Sequence, residues 1–153
     1  MATYQLVGYS WDHWSNKQVS KVTKSSINHV SIRINPCGEP SKELYVSAFT
    51  SDTYVPTKVV EKLNGPAVWK SHNYPISFEH LVALKEDARW WKKTQPGSIL
   101  HGAYYHYLGR HIGGKMPYTC TSMCHKALNR MGVNVKEQFY PNKLIRDFIM
   151  EVY

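Results

Sequence analysis

The stretch INHVSIRI, residues 27–34, decides the fold of this chain. Its apolar side chains, Val30, Ile32 and Ile34, alternate with polar ones, and this two-residue period is typical of a β-strand. Successive side chains of a strand point to opposite faces, so the pattern predicts an apolar face and a polar face. His29 lies on the polar face and is a candidate functional residue, although a lone strand histidine more often has a structural role.

The segment that follows predicts a hairpin partner for this strand. Leu44–Phe49 alternates in the same way, and the connection over residues 35–42, which contains proline and glycine, favours an antiparallel turn. A turn symmetric about Gly38 places His29 opposite Ser47, on the same face of the sheet. This register follows from the symmetry of the turn alone.

Four other segments carry shorter or less regular patterns. Tyr4–Val7 predicts a short first strand, and the alternation within Ile76–Leu84 predicts another strand. Glu86–Lys93 predicts a short helix, because it is acidic at its start and basic at its end. Asn142–Val152 follows a proline and predicts a last helix with a regular apolar face.

The clearest helix is predicted from Cys120 to Met131. Thr119 is suited to cap its N-terminus, and Gly132 is suited to end it. Together with the strands, this helix predicts an α+β domain in which an antiparallel sheet packs on a cysteine-bearing helix. Its apolar and thiol side chains recur at the spacings of an amphipathic helix, at Cys120, Met123, Cys124, Ala127, Leu128 and Met131.

Cys120 occupies the position where a helix most favours a reactive thiol. The partial positive charge of a helix N-terminus favours the thiolate, and the free N–H groups of the first turn can hold an oxyanion. A nucleophilic cysteine also needs a histidine that accepts its proton. The competing interpretation is a core thiol, since cysteine is among the most buried residue types, and we expect that role for Cys124. Cys37, in the turn between the strands, is expected to be partly exposed.

The spacing of the residues does not predict a metal site or a nucleotide-binding site. Cys120, Cys124 and His125 are close in sequence, but no second half of a zinc motif pairs with them. His125 also points away from the helix face that the two cysteines share. The chain has neither a clear glycine-rich phosphate loop between a strand and a helix nor a G-x-S-x-G elbow. We therefore expect no metal and no cofactor.

The composition of the chain argues against membrane-spanning, secreted and disulfide-rich proteins. The 153 residues, of which 42% are hydrophobic, fit a single domain that spans residues 1–153. No apolar run is long enough to cross a membrane, and the start of the chain lacks the pattern of a secretory signal. The 3 cysteines are too few for a disulfide scaffold. We expect a cytoplasmic protein, with delivery by a phage particle as the alternative.

The charge of the chain is strongly basic. The 19 Lys and Arg residues outnumber the 11 Asp and Glu residues and leave a net charge of +8, which favours acidic substrates or anionic partners. The positive residues are scattered, without the basic run that a nucleic-acid-binding arm carries. A nucleic-acid partner therefore stays open but is not favoured.

The strand and the helix together resemble a known family. The run VSKVTKSSIN, residues 19–28, leads into His29 and resembles the histidine strand of circularly permuted papain-fold thiol hydrolases. These are the NlpC-related proteins that include lecithin–retinol-acyltransferase-like enzymes. YTCTSMCHKAL, residues 118–128, resembles the cysteine helix of that family, and YPNKL, residues 140–144, resembles the proline-led helix after it. The order, with the histidine strand first and the cysteine helix last, is also that of the family.

The resemblance implies a permuted papain-like fold and a cysteine hydrolase mechanism. It makes Cys120 the nucleophile and His29 the base, and it implies a third residue, on the next strand, that orients the imidazole. That residue is often acidic in the family, whereas Ser47 stands at the matching position here. Ser47 can accept a hydrogen bond but brings no charge, and Glu43 and Asp52 are the acidic alternatives nearby.

Two functions follow as expectations. The first is a cysteine peptidase, amidase or acyl-transfer enzyme, of bacterial or phage type, that acts on a peptide, isopeptide or acyl substrate. The second is a catalytically inactive, basic binding module that inhibits a host protein or holds nucleic acid. Such a module would use exposed aromatic side chains among the tryptophans, which are Trp11, Trp14, Trp69, Trp90 and Trp91.

Overall fold

A computed structural model describes residues 2–12, 14–44, 54–92, 120–138 and 140–152 of the chain. These residues form a mixed α+β fold, in which five helices accompany an antiparallel sheet. No helix within these ranges has the length and apolar character needed to span a membrane. In chain order the elements are β1 (Thr3–Tyr9), α1 (Trp14–Thr23), β2 (His29–Asn35), β3 (Lys42–Leu44), β4 (Tyr54–Pro56), α2 (Thr57–Asn64), β5 (Trp69–Lys70), β6 (Tyr74–Pro75), α3 (Phe78–Lys92), α4 (Cys120–Arg130) and α5 (Pro141–Val152).

The strands form a six-stranded sheet with the order β4-β3-β2-β1-β5, and β6 also pairs with β1. β1 and β2 pair antiparallel along their whole length, from Thr3 opposite Asn35 to Tyr9 opposite His29. The first strand is therefore longer than the predicted Tyr4–Val7. Its position inside the sheet explains the difference, because β2 on one side and β5 and β6 on the other supply backbone partners.

The hairpin between β2 and β3 has the predicted register. Ile32 pairs with Leu44 and Ile34 pairs with Lys42, so the ladder is symmetric about Gly38. Gly38 has a φ of 76°, a left-handed conformation that glycine adopts without strain. The remainder of the predicted second strand, with Ser47 in it, lies outside the described residues.

Both faces of β2 are buried. Val30, Ile32 and Ile34 lie in the main hydrophobic core together with residues of α4 and α5. The face that carries His29 is buried as well, because Trp11 and side chains of α2 lie against it. The strand that carries the candidate histidine is thus enclosed between two layers.

The cysteine-bearing helix, α4, ends one residue before its predicted end. Gly132, with a φ of 86°, closes the helix in a Schellman motif. In this motif the Gly132 N–H donates to the Asn129 carbonyl, and the Val133 N–H donates to the Leu128 carbonyl. The last predicted helix is confirmed as α5.

The segment between β6 and Lys92 differs from its prediction. Phe78–Lys92 is one continuous helix, so the predicted strand Ile76–Leu84 is wrong, and the predicted helix Glu86–Lys93 is only its second half. Ser77 caps this helix, because its hydroxyl accepts a hydrogen bond from the His80 N–H at 3.1 Å. The serine cap is the helix-start signal that the strand-like alternation obscured.

Candidate active site

Cys120 lies where the helix α4 meets the sheet. It is the first residue of α4, it is half-buried, and its side chain packs against the main core. A backbone hydrogen bond links its thiol to Val30, and the Thr121 hydroxyl lies 3.8 Å from its Sγ. The thiol is therefore anchored at the residue that follows His29 in β2.

Burial determines the ionisation state of this thiol. Removal from water raises the pKa of Cys120, and the hydrogen bonds to Val30 and Thr121 lower it by a smaller amount. The backbone amides of the first turn thus act in the direction expected for a helix N-terminus, but they do not outweigh burial. Burial thus favours the protonated thiol, whereas the helix N-terminus favours the thiolate.

His29 is enclosed by aromatic rings. Its side chain is almost fully buried and stacks on Trp11, with ring centroids 3.7 Å apart and ring planes 12° apart. The Tyr9 ring is tilted against it at a centroid distance of 6.0 Å. Burial lowers the pKa of His29 to about 3, so the imidazole is neutral at physiological pH and free of its second proton.

The structure brings the two candidate residues to one end of β2. His29 is the first residue of this strand, and Cys120 is the first residue of the helix that packs on it. The alternation of the strand directs Val30 toward α4 and the imidazole toward Trp11. The thiol and the imidazole therefore belong to different layers, and a proton that passes between them has to travel around the beginning of β2.

Glu43 is the one candidate for orienting His29 that the structure describes, since Ser47 and Asp52 lie outside the described ranges. Its side chain is fully buried. Its partners are other side chains on the same face, and one of them, Tyr9, is also the residue whose ring lies against the imidazole. Three side chains donate hydrogen bonds to it: the Tyr9 hydroxyl at 2.7 Å, the Ser31 hydroxyl, and Nε of Arg33 at 3.3 Å.

Arg33 completes this buried polar network. Its guanidinium also donates to the Tyr9 hydroxyl at 3.2 Å and to Glu61 at 3.3 Å. Burial and the nearby Glu43 carboxylate raise the pKa of Tyr9 well above its ordinary value, so the phenol stays protonated and donates. The network thus fixes the Tyr9 ring that contacts His29.

The remaining cysteines and His125 lie as the helix pattern predicts. Cys124 is fully buried, and burial raises the pKa of its thiol well above the ordinary value. Cys37 is exposed. His125 hydrogen-bonds to Asn129, one turn further along α4, at 2.9 Å. Among the residues that the structure describes, no group of three or more Cys, His, Asp or Glu side chains could hold a metal ion.

Sequence reasoning missed three residues around His29, which are Tyr9, Trp11 and Asn28. Tyr9 lies directly opposite His29 in the pairing of β1 with β2, so a register for the first strand would have found it. Trp11 is one of the five tryptophans from which a binding module could draw exposed aromatic side chains, but at 7% exposure it is a core residue. No periodicity marks Trp11 or Asn28, since both lie outside the strands.

No protein-family model, curated protein or solved structure matches this chain. The coarser prediction, an α+β fold with an antiparallel sheet packed on the cysteine-bearing helix, is confirmed. The resemblance to permuted papain-fold thiol hydrolases stays a prediction from the residues. The case for a functional site therefore rests on the geometry around Cys120 and His29.

Proposed function

We propose that the protein is a cysteine hydrolase, a peptidase, amidase or acyl-transfer enzyme, with Cys120 as the nucleophile and His29 as the base. The position of Cys120 carries this proposal. Its thiol opens α4 and is hydrogen-bonded to the backbone of Val30, the neighbour of His29. Two residues that are far apart in the sequence thus stand at the first positions of two elements that pack together.

The proposed reaction begins from neutral groups. Because burial raises the pKa of Cys120 and lowers that of His29, the thiol and the imidazole are both uncharged before substrate binds. Sγ attacks the carbonyl carbon of an amide, ester or thioester while the imidazole accepts the thiol proton, and an S–C bond forms. The imidazolium then gives this proton to the leaving group as the bond between the carbonyl carbon and that group breaks, and an acyl-Cys120 thioester remains.

The second half of the reaction restores the thiol. The imidazole accepts a proton from water, the hydroxide attacks the thioester, and the S–C bond breaks as the proton returns to sulfur. An amine or alcohol in place of water gives acyl transfer. The same pair of residues therefore supports hydrolysis and transfer.

The first turn of α4 supports the charge that develops on the carbonyl oxygen. Backbone hydrogen bonds of Cys120 and Thr121 favour negative charge at the thiol, as the lowering contribution to its pKa indicates. A helix N-terminus adds a partial positive charge at the same place. These N–H groups are the oxyanion donors that we assign within the described residues.

The net charge of the chain supports one class of substrate. A net charge of +8 favours acidic peptides, isopeptides or acyl compounds over basic ones. We place the reaction in the cytoplasm, where a free thiol stays reduced. No second function is proposed, and the inactive binding module becomes an outcome of the test below.

The test is capture of the acyl-enzyme. The protein is mixed with p-nitrophenyl acetate, and acetylation of each cysteine is followed by peptide mass spectrometry in the wild type, in His29→Gln and in Cys120→Ser. We expect acetylation of Cys120 to be ~10²-fold slower in His29→Gln, which is the lower end of the usual effect of a general base. Exposed Cys37 is the internal control and should react equally in all three proteins.

The opposite result is also clear. If Cys120 reacts more slowly than Cys37 and its rate does not depend on His29, the hydrolase proposal is wrong. Binding to an anionic polymer that weakens steeply with salt would then favour the basic binding module.

A further inference from the structure

We propose that Trp11 is a positioning residue for His29, held over the imidazole by Asn28. The proposal deepens the function given above, because it rests on His29 acting as the base. The stack is close and nearly parallel, with ring centroids 3.7 Å apart and ring planes 12° apart. Both side chains are buried, His29 at 2% and Trp11 at 7% exposure.

Asn28 holds the main chain of Trp11 at two points. Its Oδ1 accepts a hydrogen bond from the Trp11 N–H at 2.8 Å, and its Nδ2 donates to the Trp11 carbonyl at 3.0 Å. The same amide donates to the Ser20 hydroxyl at 3.0 Å, and Asn16 donates to the Asn28 carbonyl at 3.1 Å. Asn28 directly precedes His29, so the ring that covers the imidazole is tied to the backbone of the imidazole itself.

This arrangement fixes the imidazole from one side. A ring flip or a change of rotamer at His29 would break the stack with Trp11, and buried aromatic pairs are favourable beyond their burial alone. The face under Trp11 is also closed to water and to substrate. The base is therefore held in one orientation.

Within the part of the chain that the structure describes, three ionisable groups near His29 belong to three different elements. Tyr9 of β1 faces the ring directly, and Glu43 of β3 lies behind it as the acceptor of the Tyr9 hydroxyl. Cys120 of α4 is bonded to the adjacent Val30. Removal of the Trp11 ring leaves all three in place, so a change in the behaviour of His29 reports on the stack.

The experiment follows the imidazole directly by NMR. The ¹³C, ¹H and ¹⁵N shifts of the His29 side chain give its charge and its tautomer as a function of pH. The proteins are the wild type, Trp11→Leu and Trp11→Phe, with Trp69→Leu as a matched control. Trp69 lies in the same sheet, in β5, but packs against the main core rather than against the imidazole.

We expect wild-type His29 to stay neutral, in one tautomer, down to about pH 5, well below its ordinary midpoint near 6.5. In Trp11→Leu the titration midpoint should rise by about one pH unit or more, a second tautomer should appear, and acetylation of Cys120 should slow about tenfold. Trp11→Phe keeps a ring and should retain most of the wild-type behaviour. Trp69→Leu should lower the melting temperature and leave the shifts of His29 unchanged.

The proposal is overturned if Trp11→Leu folds and its His29 shifts and titration match the wild type, because Trp11 is then only a packing residue. Should Trp11→Leu fail to fold, Asn28→Ala decides. It keeps both rings but frees the main chain of Trp11, so unchanged His29 shifts overturn the proposal and a second tautomer supports it. The proposed function fails in a different way, by acetylation of Cys120 that does not depend on His29, and that result leaves the NMR comparison intact.

Discussion

The two faces of β2 bury side chains of opposite chemistry. One face carries Val30, Ile32 and Ile34 in the main core. The other carries Arg33 within a network of hydrogen bonds and His29 against aromatic rings. Apolar burial contributes in proportion to the area removed from water, about 25 cal/mol per Å². Buried polar groups contribute only when each has a partner. The comparison teaches that the burial of apolar side chains stabilises one face, whereas contacts between buried polar side chains and their partners stabilise the face that holds the proposed base.

Among the changes that test this comparison, loss of Glu43 should lower the free energy of unfolding the most. Glu43→Ala leaves the Arg33 guanidinium buried without its main acceptor, and we expect the free energy of unfolding to fall by ~3–5 kcal/mol. Urea denaturation measures this loss. The control is Glu61→Ala, which removes the other carboxylate on Arg33, because the Glu61 side chain is 41% exposed. An exposed pair contributes about 1 kcal/mol or less. Equal losses in the two variants would contradict the view that burial makes the pairing essential.

Shortening a side chain on the apolar face should lower the free energy of unfolding in proportion to the volume removed. Ile32 is fully buried, so Ile32→Ala should cost ~2–4 kcal/mol and Ile32→Val ~0.5–1.5 kcal/mol. The same denaturation series measures both variants. The comparison between the faces fails if Ile32→Val costs as much as Ile32→Ala, since the loss would then not follow the volume removed.

Near neutral pH, the protonation of His29 should change the free energy of unfolding the least. Its pKa is lowered to about 3 in the folded protein, so the unfolded chain, with an ordinary value near 6.5, takes up the proton first. The stabilisation is therefore complete above about pH 6.5 and declines as the pH falls toward 3, by at most ~1.4 kcal/mol per pH unit.

His29→Gln tests this dependence. The slope of the free energy of unfolding between pH 6.5 and 4.5 should be shallower in the variant than in the wild type, over a window chosen around the ordinary pKa of histidine. Parallel slopes would mean that the folded state accommodates a charged imidazole as readily as the unfolded chain does.

The apolar face of β2 could be predicted from the sequence. The period of β2, the stripe of α4 and the register about Gly38 are local properties of the chain, and each is confirmed by the structure. The partners on the polar face are not local. Tyr9 and Glu43 reach it from separate strands, so no pattern within β2 could show that its polar side chains are buried.

The candidate site also has properties that the sequence could predict and properties that depend on the whole fold. The position of Cys120 at the start of a helix could be predicted from spacing alone, and so could the place of His29 within a strand, although the strand begins at His29 rather than at Ile27. Their protonation could not, because it depends on burial by the rest of the fold. The helix α3 was missed for a local reason instead, since the cap at Ser77 lies inside an alternating segment that resembles a strand.

The contact between β2 and α4 has a consequence for synthesis on the ribosome. His29 and Cys120 are 91 positions apart in the chain, so at roughly 5–20 residues per second the helix emerges ~5–18 s after the strand. During this interval the apolar face of the paired strands β1 and β2 lacks the cover that α4 and α5 provide. A nascent chain of this protein is therefore exposed to aggregation or chaperone capture until its last third is made, and the proposed nucleophile and base come together only when that exposure ends.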